Sequence, residues 1–206
     1  MDALIFISTV AAIYLPVLWS PGPNFVVVSR SAMSQSRRHG VFTAFGISSG
    51  TVIWVTLASL STRLLLGNFA AGTGWIKIMG GTYLTYMGLK ILRNAKCPIR
   101  AATQRDERRT ILQSYLRGLA TSLTNPQSLI FFTSIFGALF TPAVEPWLRW
   151  AGVLVIISIS LLSYAAQAVF FSNQRMQRGY TKAKSKFDCV AGFVLVAIGI
   201  KLVMAT

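Results

Sequence analysis

Two short proline-containing segments interrupt long apolar stretches of the sequence. They read Ser20-Pro21-Gly22-Pro23-Asn24 and Thr124-Asn125-Pro126-Gln127. A proline inside a helix removes a backbone donor and costs about 3 kcal/mol, so each segment predicts a break in a helix. Ser20 and Asn125 are good N-cap residues, and the proline that follows each of them suits the first position of a helix. We therefore predict that a helix restarts at each segment.

The start of a helix is chemically suited to a small anion. Its first N–H groups lack intrahelical partners and carry a partial positive charge, which attracts a carboxylate. The amides of Asn24 and Asn125 can bond the carboxylate or the ammonium group of a zwitterion. The predicted substrate-binding residues are Ser20, Pro21, Gly22, Pro23, Asn24, Asn125, Pro126 and Gln127. The alternative is that the prolines only kink packed helices, since proline is frequent in transmembrane helices.

Titratable and metal-binding groups are sparse in this chain. It has five acidic residues, one histidine and two cysteines. Only Asp188 comes near an apolar stretch, where it is either a proton-coupling group or an ordinary acid at a helix start. Cys97 and Cys189 form no CxxC pair, and His39 has no neighbouring ligands. We therefore expect no metal site, no cofactor and no catalytic centre.

Long apolar blocks carry the two proline segments. The chain is 53% hydrophobic and 12% charged, whereas soluble domains are about 25% charged. Six blocks have roughly the 20 residues that cross a bilayer, and they lie at about 4–28, 41–66, 75–93, 114–140, 147–171 and 187–205. Continuous runs without period-two alternation predict an all-α integral membrane protein with six transmembrane helices, the first and fourth broken at prolines. The first block begins without a basic residue, so we expect it to stay in the mature protein.

The basic residues are distributed unevenly among the connections. Of the 20 Lys and Arg residues, 16 lie in or beside the connections after blocks one, three and five. The positive-inside rule places these connections in the cytoplasm and both termini outside. The basic residues behind the net charge of +15 therefore set orientation in a lipid bilayer through their positions, and we expect no nucleic-acid partner.

A basic cytoplasmic loop at 94–113 divides the chain into two halves of three predicted membrane helices. The halves are about 1–93 and 114–206, and together they form a single transmembrane transporter domain over 1–206. Because three is an odd number, the second half must enter the membrane upside down. Inverted halves of this kind are common among secondary transporters.

Four stretches resemble the LysE/RhtB family of amino-acid exporters. Ser20–Gly50 resembles the PGP motif and the glycine-rich second helix of that family, and Gly80–Arg93 resembles its third helix. Arg117–Phe132 resembles its fourth helix, and Met176–Val203 resembles its last loop and helix. The resemblance covers nearly the whole chain in order, and it looks closest to the threonine and homoserine branch.

The resemblance implies a secondary transporter in a bacterial inner membrane that exports small amino acids and uses the proton gradient. A homo-oligomer is compatible with it. Two positions differ from the family pattern, because Gln127 stands where members often have lysine, and Asn24 stands where close threonine exporters can have aspartate. The residues alone leave two other functions open, a membrane thiol-electron carrier and a membrane channel for small solutes.

Overall fold

The computed structural model describes residues 2–68, 73–95, 109–141 and 144–204. Within these ranges the secondary structure is helical, without a strand. The helices, in chain order, are α1 (Ala3–Trp19), α2 (Pro23–Ser34), α3 (Arg37–Asn68), α4 (Thr73–Asn94), α5 (Ile111–Thr124), α6 (Pro126–Leu139), α7 (Pro146–Phe171) and α8 (Gln174–Met204). The predicted all-α class is confirmed.

Three of these helices contain segments long and apolar enough to cross a membrane. The segments are Arg37–Leu60 of α3, Pro146–Phe171 of α7 and Ala183–Met204 of α8. Helices α1 and α2 form a fourth if the pair, which is bent by 54°, makes one span. The expected third and fourth spans correspond to α4 and to the pair of α5 and α6, which do not meet the same criterion among the described residues. Six spans therefore stay a prediction.

Glycines allow two pairs of helices to approach closely. A Cβ atom added to Gly46 of α3 would overlap the backbone of Tyr115 in α5. On α4, a Cβ added to Gly81 would lie 2.7 Å from the carbonyl oxygen of Gly199 in α8, and one added to Gly88 would lie 2.7 Å from that of Gly192. Small residues of this kind bring the backbones of membrane helices together.

The large apolar side chains divide between an inner core and an outer surface. Ile47 of α3, Phe131 of α6 and Ile156 of α7 are buried in one apolar core cluster, in which α3 packs against both α6 and α7. Leu162 and Phe193 are, in contrast, 69% and 66% exposed. An outer surface of such residues is unfavourable in water and suits contact with lipid.

One expectation from the sequence is wrong, and another concerns residues outside the described ranges. Helix α8 begins at Gln174, so Asp188 lies well inside the helix and the interpretation of this residue as a helix-start acid is wrong. Residues 96–108, which hold most of the predicted basic loop together with Cys97, lie outside the described ranges. Helix α5 begins directly after them with a capping box, in which Thr110 and Gln113 bond each other's backbone N–H groups.

Candidate functional site: a cavity at two helix breaks

The first break separates α1 from α2 by three residues. Ser20 ends α1, since its N–H group donates to the carbonyl of Pro16 at 3.0 Å. Gly22 adopts an extended conformation and is the N-cap of α2, with Pro23 at the first helical position. The predicted break is confirmed, but the prediction that Ser20 is the N-cap is wrong. Two prolines in this segment can each begin a helix, and the backbone begins α2 at the second.

The second break consists of a single residue. Asn125 ends α5 and also caps α6, because its Oδ1 accepts a hydrogen bond from the backbone N–H of Gln127 at 3.0 Å. Pro126 occupies the first helical position of α6. The predicted cap and restart are therefore confirmed at this segment.

The two breaks, more than 100 residues apart in the chain, meet at one cavity. Asn24 donates from Nδ2 to the Ser128 hydroxyl at 3.5 Å and to the Tyr164 hydroxyl at 3.4 Å. Asn125 donates from Nδ2 to Oδ1 of Asn24 at 3.5 Å. Asparagines at the two restarts thus contact each other, and Asn24 also contacts a tyrosine of α7.

Most of the predicted binding residues line this cavity. Ser20, Gly22, Pro23, Asn24, Asn125 and Gln127 all belong to its wall. Pro21 and Pro126 are exposed and do not line it. Gly22 lies close to Gln127 across the cavity, since an added Cβ atom would lie 3.2 Å from Oε1 of Gln127 and would require a small shift of that side chain.

The cavity wall is polar but uncharged. None of the described residues that line it is acidic or basic, and the wall offers hydroxyl and amide groups together with the starts of α2 and α6. Aromatic and aliphatic side chains complete the wall; they include Val17, Leu18, Phe25, Phe131 and Phe132. A few polar groups in an apolar wall are typical of small-molecule sites, and a neutral wall suits a ligand without net charge.

The sequence interpretation missed several polar lining residues. Thr51, Ser128 and Tyr164 line the cavity, and Thr51 also makes a 3.0 Å hydrogen bond to the buried hydroxyl of Ser160. The available signal for Tyr164 was the helical spacing of Ser160, Tyr164 and Gln167, which places these polar groups on one face of a largely apolar α7. Polar residues on one side of a membrane helix point toward the protein interior.

Asp188 lies outside the cavity wall. Its carboxylate is buried and accepts a hydrogen bond from Nζ of Lys184 at 2.7 Å, one helical turn earlier. Lys184 also donates to the carbonyl of Asn94, the last residue of α4, at 3.1 Å. The other carboxylate oxygen, Oδ1, is buried without a hydrogen-bond partner among the described residues. The structure thus places Asp188 in an ion pair within α8, whose lysine also bonds the end of α4, apart from the other candidate residues.

Comparisons with known proteins show a family match and several relatives that cover nearly the whole chain. The family model for the LysE type translocator matches residues 15–206. The threonine efflux protein of Escherichia coli strain K12 is 33% identical over 204 residues, which are 98% of this chain and 99% of that protein. An uncharacterised membrane protein of Haemophilus influenzae is 30% identical over 194 residues, 93% of this chain and 92% of that protein. The leucine efflux protein of Salmonella choleraesuis is 25% identical over 203 residues, 96% of this chain and 92% of that protein.

No solved structure matches the chain. The family match includes both helix breaks and every residue that lines the cavity except Tyr14. On this match, the chain belongs to the LysE type translocator family, and two of the three relatives above are, by name, efflux proteins and not enzymes.

Proposed function

We propose that this protein is a secondary transporter that exports small neutral amino acids, of the threonine and homoserine type, across the bacterial inner membrane. The observation that carries the proposal is the meeting of two broken helices at one neutral cavity. Broken helices near the middle of the membrane form the substrate sites of many secondary transporters. The 33% identity to a threonine efflux protein supports the choice of substrate.

The substrate lies between the two restarted helices. Its carboxylate faces the N-termini of α2 and α6, where free N–H groups and the helix dipole favour negative charge. The amides of Asn24 and Asn125 bond its carboxylate and ammonium groups, and the hydroxyls of Ser128 and Tyr164 lie within reach of a polar side chain. Because the wall has no charge, it favours a zwitterion over a basic or acidic amino acid.

The proposed arrangement in the membrane has six spans and two inverted halves. Helices α1 with α2, and α5 with α6, form the broken first span of each half, and α4 supplies the third span of the first half. The bend of 54° at the first break and the one-residue joint at the second support this assignment. The distribution of the basic residues supports an orientation with both termini on the outer side of the membrane.

Asp188 is the proposed proton-coupling residue. It is a buried acid within a candidate span, and one of its carboxylate oxygens has no partner among the described residues. An acid at such a position is a functional candidate. Its ion pair with Lys184 couples its charge to the contact between α8 and α4.

Efflux of labelled amino acids from cells that do or do not express the protein tests the proposal. The panel contains threonine, homoserine, serine, leucine and lysine. We expect threonine or homoserine to leave against its concentration gradient, and an uncoupler of the proton gradient to stop this efflux. Export of lysine alone, or of none of the five, would contradict the proposed substrate class. Downhill movement that an uncoupler does not change would indicate a channel.

A further inference from the structure

Each helix break leaves a backbone carbonyl group without its helical partner. In a continuous helix, the carbonyl of Trp19 would accept a hydrogen bond from residue 23, and that of Ser122 from residue 126. Both partner positions are prolines, which have no N–H group. Inside a membrane such a carbonyl is costly unless another group of the protein bonds it.

Side chains of the other half of the chain supply the missing donors. We call α1–α4 the N-terminal half and α5–α8 the C-terminal half. Trp54 of α3 donates from Nε1 to the Ser122 carbonyl at 2.9 Å. The hydroxyl of Tyr180 in α8 donates to the Trp19 carbonyl at 2.8 Å. Each break is therefore stabilised by a residue from the half that does not contain it.

A second hydrogen bond at each break also comes from the half that does not contain the break. Gln167 of α7 donates from Nε2 to the carbonyl of Leu18 at 2.9 Å. The helical partner of that carbonyl would be the N–H group of Gly22, which donates instead to the carbonyl of Ser20. At the other break, the hydroxyl of Tyr83 in α4 donates to the carbonyl of Gln127 at 3.3 Å. Each break thus receives one bond from the third helix and one from the fourth helix of the opposite half.

We propose that Trp54 and Gln167 are positioning residues for the amino-acid site, a role that rests on the proposed function. Neither residue lines the cavity. Each one fixes the backbone beside a break, and the restarted helix that follows presents its N-terminus to the substrate. Gln167 is completely buried, and its Oε1 has no partner among the described residues. Among the described residues, the hydrogen bond that Nε2 donates to the Leu18 carbonyl is therefore the bond that fixes this amide.

The consequence concerns the movement of the two halves. A rotation of one half against the other pulls on these cross-half bonds and displaces the helix ends that bind the substrate carboxylate. Substrate affinity and the relative position of the halves are therefore linked through Trp54 and Gln167. A side chain that only filled space at these positions would not create this link.

Binding of L-threonine to purified, folded variants tests the proposal. Trp54→Phe removes the N–H donor and keeps an aromatic ring, and Gln167→Met keeps the length of the side chain without its amide. Trp147→Phe is the matched control, because Trp147 is 57% exposed and donates to Glu145 away from the cavity. We expect Kd to rise about tenfold in the first two variants, because a helix end that is no longer fixed must be ordered when the substrate binds, and to stay unchanged in the control.

A second measurement shows whether Trp54 acts through the Ser122 carbonyl. Pro126→Ala supplies an N–H group that can bond this carbonyl within the helix. Trp54→Phe is then expected to lower the unfolding temperature by about 3 °C when residue 126 is proline, and by much less when it is alanine. The Pro126→Ala background also provides a folded form if Trp54→Phe alone is unstable.

The outcomes separate this inference from the proposed function. If the wild type binds L-threonine and folded Trp54→Phe and Gln167→Met bind it equally well, the positioning role is wrong and the proposed function stands. The positioning role is also wrong if Trp54→Phe costs as much stability in the Pro126→Ala background as in the wild type. If the wild type binds none of the five amino acids of the efflux panel, the proposed function is wrong, and the positioning role that depends on it is wrong as well.

Discussion

The hydrogen bonds that the two asparagines of the cavity make with each other and with neighbouring hydroxyl groups are long. Asn24 lies 3.5 Å from Ser128 and 3.4 Å from Tyr164, and the amides of Asn24 and Asn125 are 3.5 Å apart. Most N–H···O bonds are about 2.7–3.2 Å long, and longer ones are weaker. Charged groups of a zwitterion make stronger bonds than these neutral pairs. A substrate can therefore replace the contacts between the asparagines with a net gain.

Replacement of either asparagine is expected to weaken substrate binding. Asn24→Ala removes an amide group that bonds the proposed substrate, and we expect Kd for L-threonine to rise about tenfold. Asn125→Ala also removes the N-cap of α6, which costs about 1 kcal/mol of stability. Asn125→Ser is the matched variant, because serine keeps the cap and loses only the amide.

Calorimetric titration and thermal unfolding of the same purified samples separate these effects. Asn125→Ser should bind as weakly as Asn125→Ala but unfold near the wild-type temperature. Wild-type affinity in both Asn24→Ala and Asn125→Ser would show that the asparagines do not contact the substrate.

The buried ion pair of Lys184 and Asp188 requires a paired substitution. Asp188→Asn would leave Lys184 buried without its counter-charge, which typically costs about 3–5 kcal/mol. Replacement of both residues by apolar ones is often neutral for stability. We expect Lys184→Met with Asp188→Leu to fold and to bind L-threonine normally, while its efflux no longer responds to the proton gradient. Efflux measured at several external pH values checks this, and a wild-type pH response in the double variant would exclude Asp188 from coupling.

At the scale of the helices, the breaks are predictable because the effect of proline is local. Pro126 removes one N–H group, and Asn125 directly before it caps the next helix. At the first break, Pro21 and Pro23 both suit a helix start, so the sequence pattern cannot choose between them. The N–H group of Ser20 still bonds Pro16, which extends the hydrogen bonding of α1 by one residue and leaves Gly22 as the cap of α2.

Removal of the second break is expected to reduce transport. Pro126→Ala improves helix propensity by about 3 kcal/mol and lets α5 and α6 join, so the free N-terminus of α6 is lost from the cavity. The matched control is Pro16→Ala, because Pro16 lies inside α1 and not at a break. Initial efflux rates, normalised to protein in the membrane, should fall well below wild type for Pro126→Ala only. Equal rates in both variants would show that the prolines serve packing alone.

At the scale of the whole molecule, hydropathy shows where lipid contact ends but not where a helix ends. The candidate span in α8 begins at Ala183, whereas the helix begins at Gln174. The basic residues before the span continue the helix, and for this reason the position of Asp188 within α8 is not predictable from the apolar pattern. The donors Trp54 and Gln167 are equally unpredictable, since they depend on which helices pack together.

The orientation of the chain can be tested by labelling with an impermeant maleimide. Single cysteines are introduced at Arg105 and at Glu145 in a background that lacks Cys97 and Cys189. Since 16 basic residues mark one side of the membrane, we expect the cysteine at 145 to react in intact cells and the cysteine at 105 to react only after the membrane is opened. Reaction of both cysteines from the same side would contradict the proposed topology.

The uncharged wall of the cavity has a consequence for the membrane potential. One elementary charge moved across 100 mV changes free energy by about 2.3 kcal/mol. The described wall of the empty site has no charged residue, so the empty site and the site filled with a zwitterion both carry zero net charge. Neither is driven or opposed by the electric field when it changes its exposure from one side to the other. Voltage can then act only on the coupling ion, so the dependence of export on membrane potential directly counts the charges that move with each amino acid.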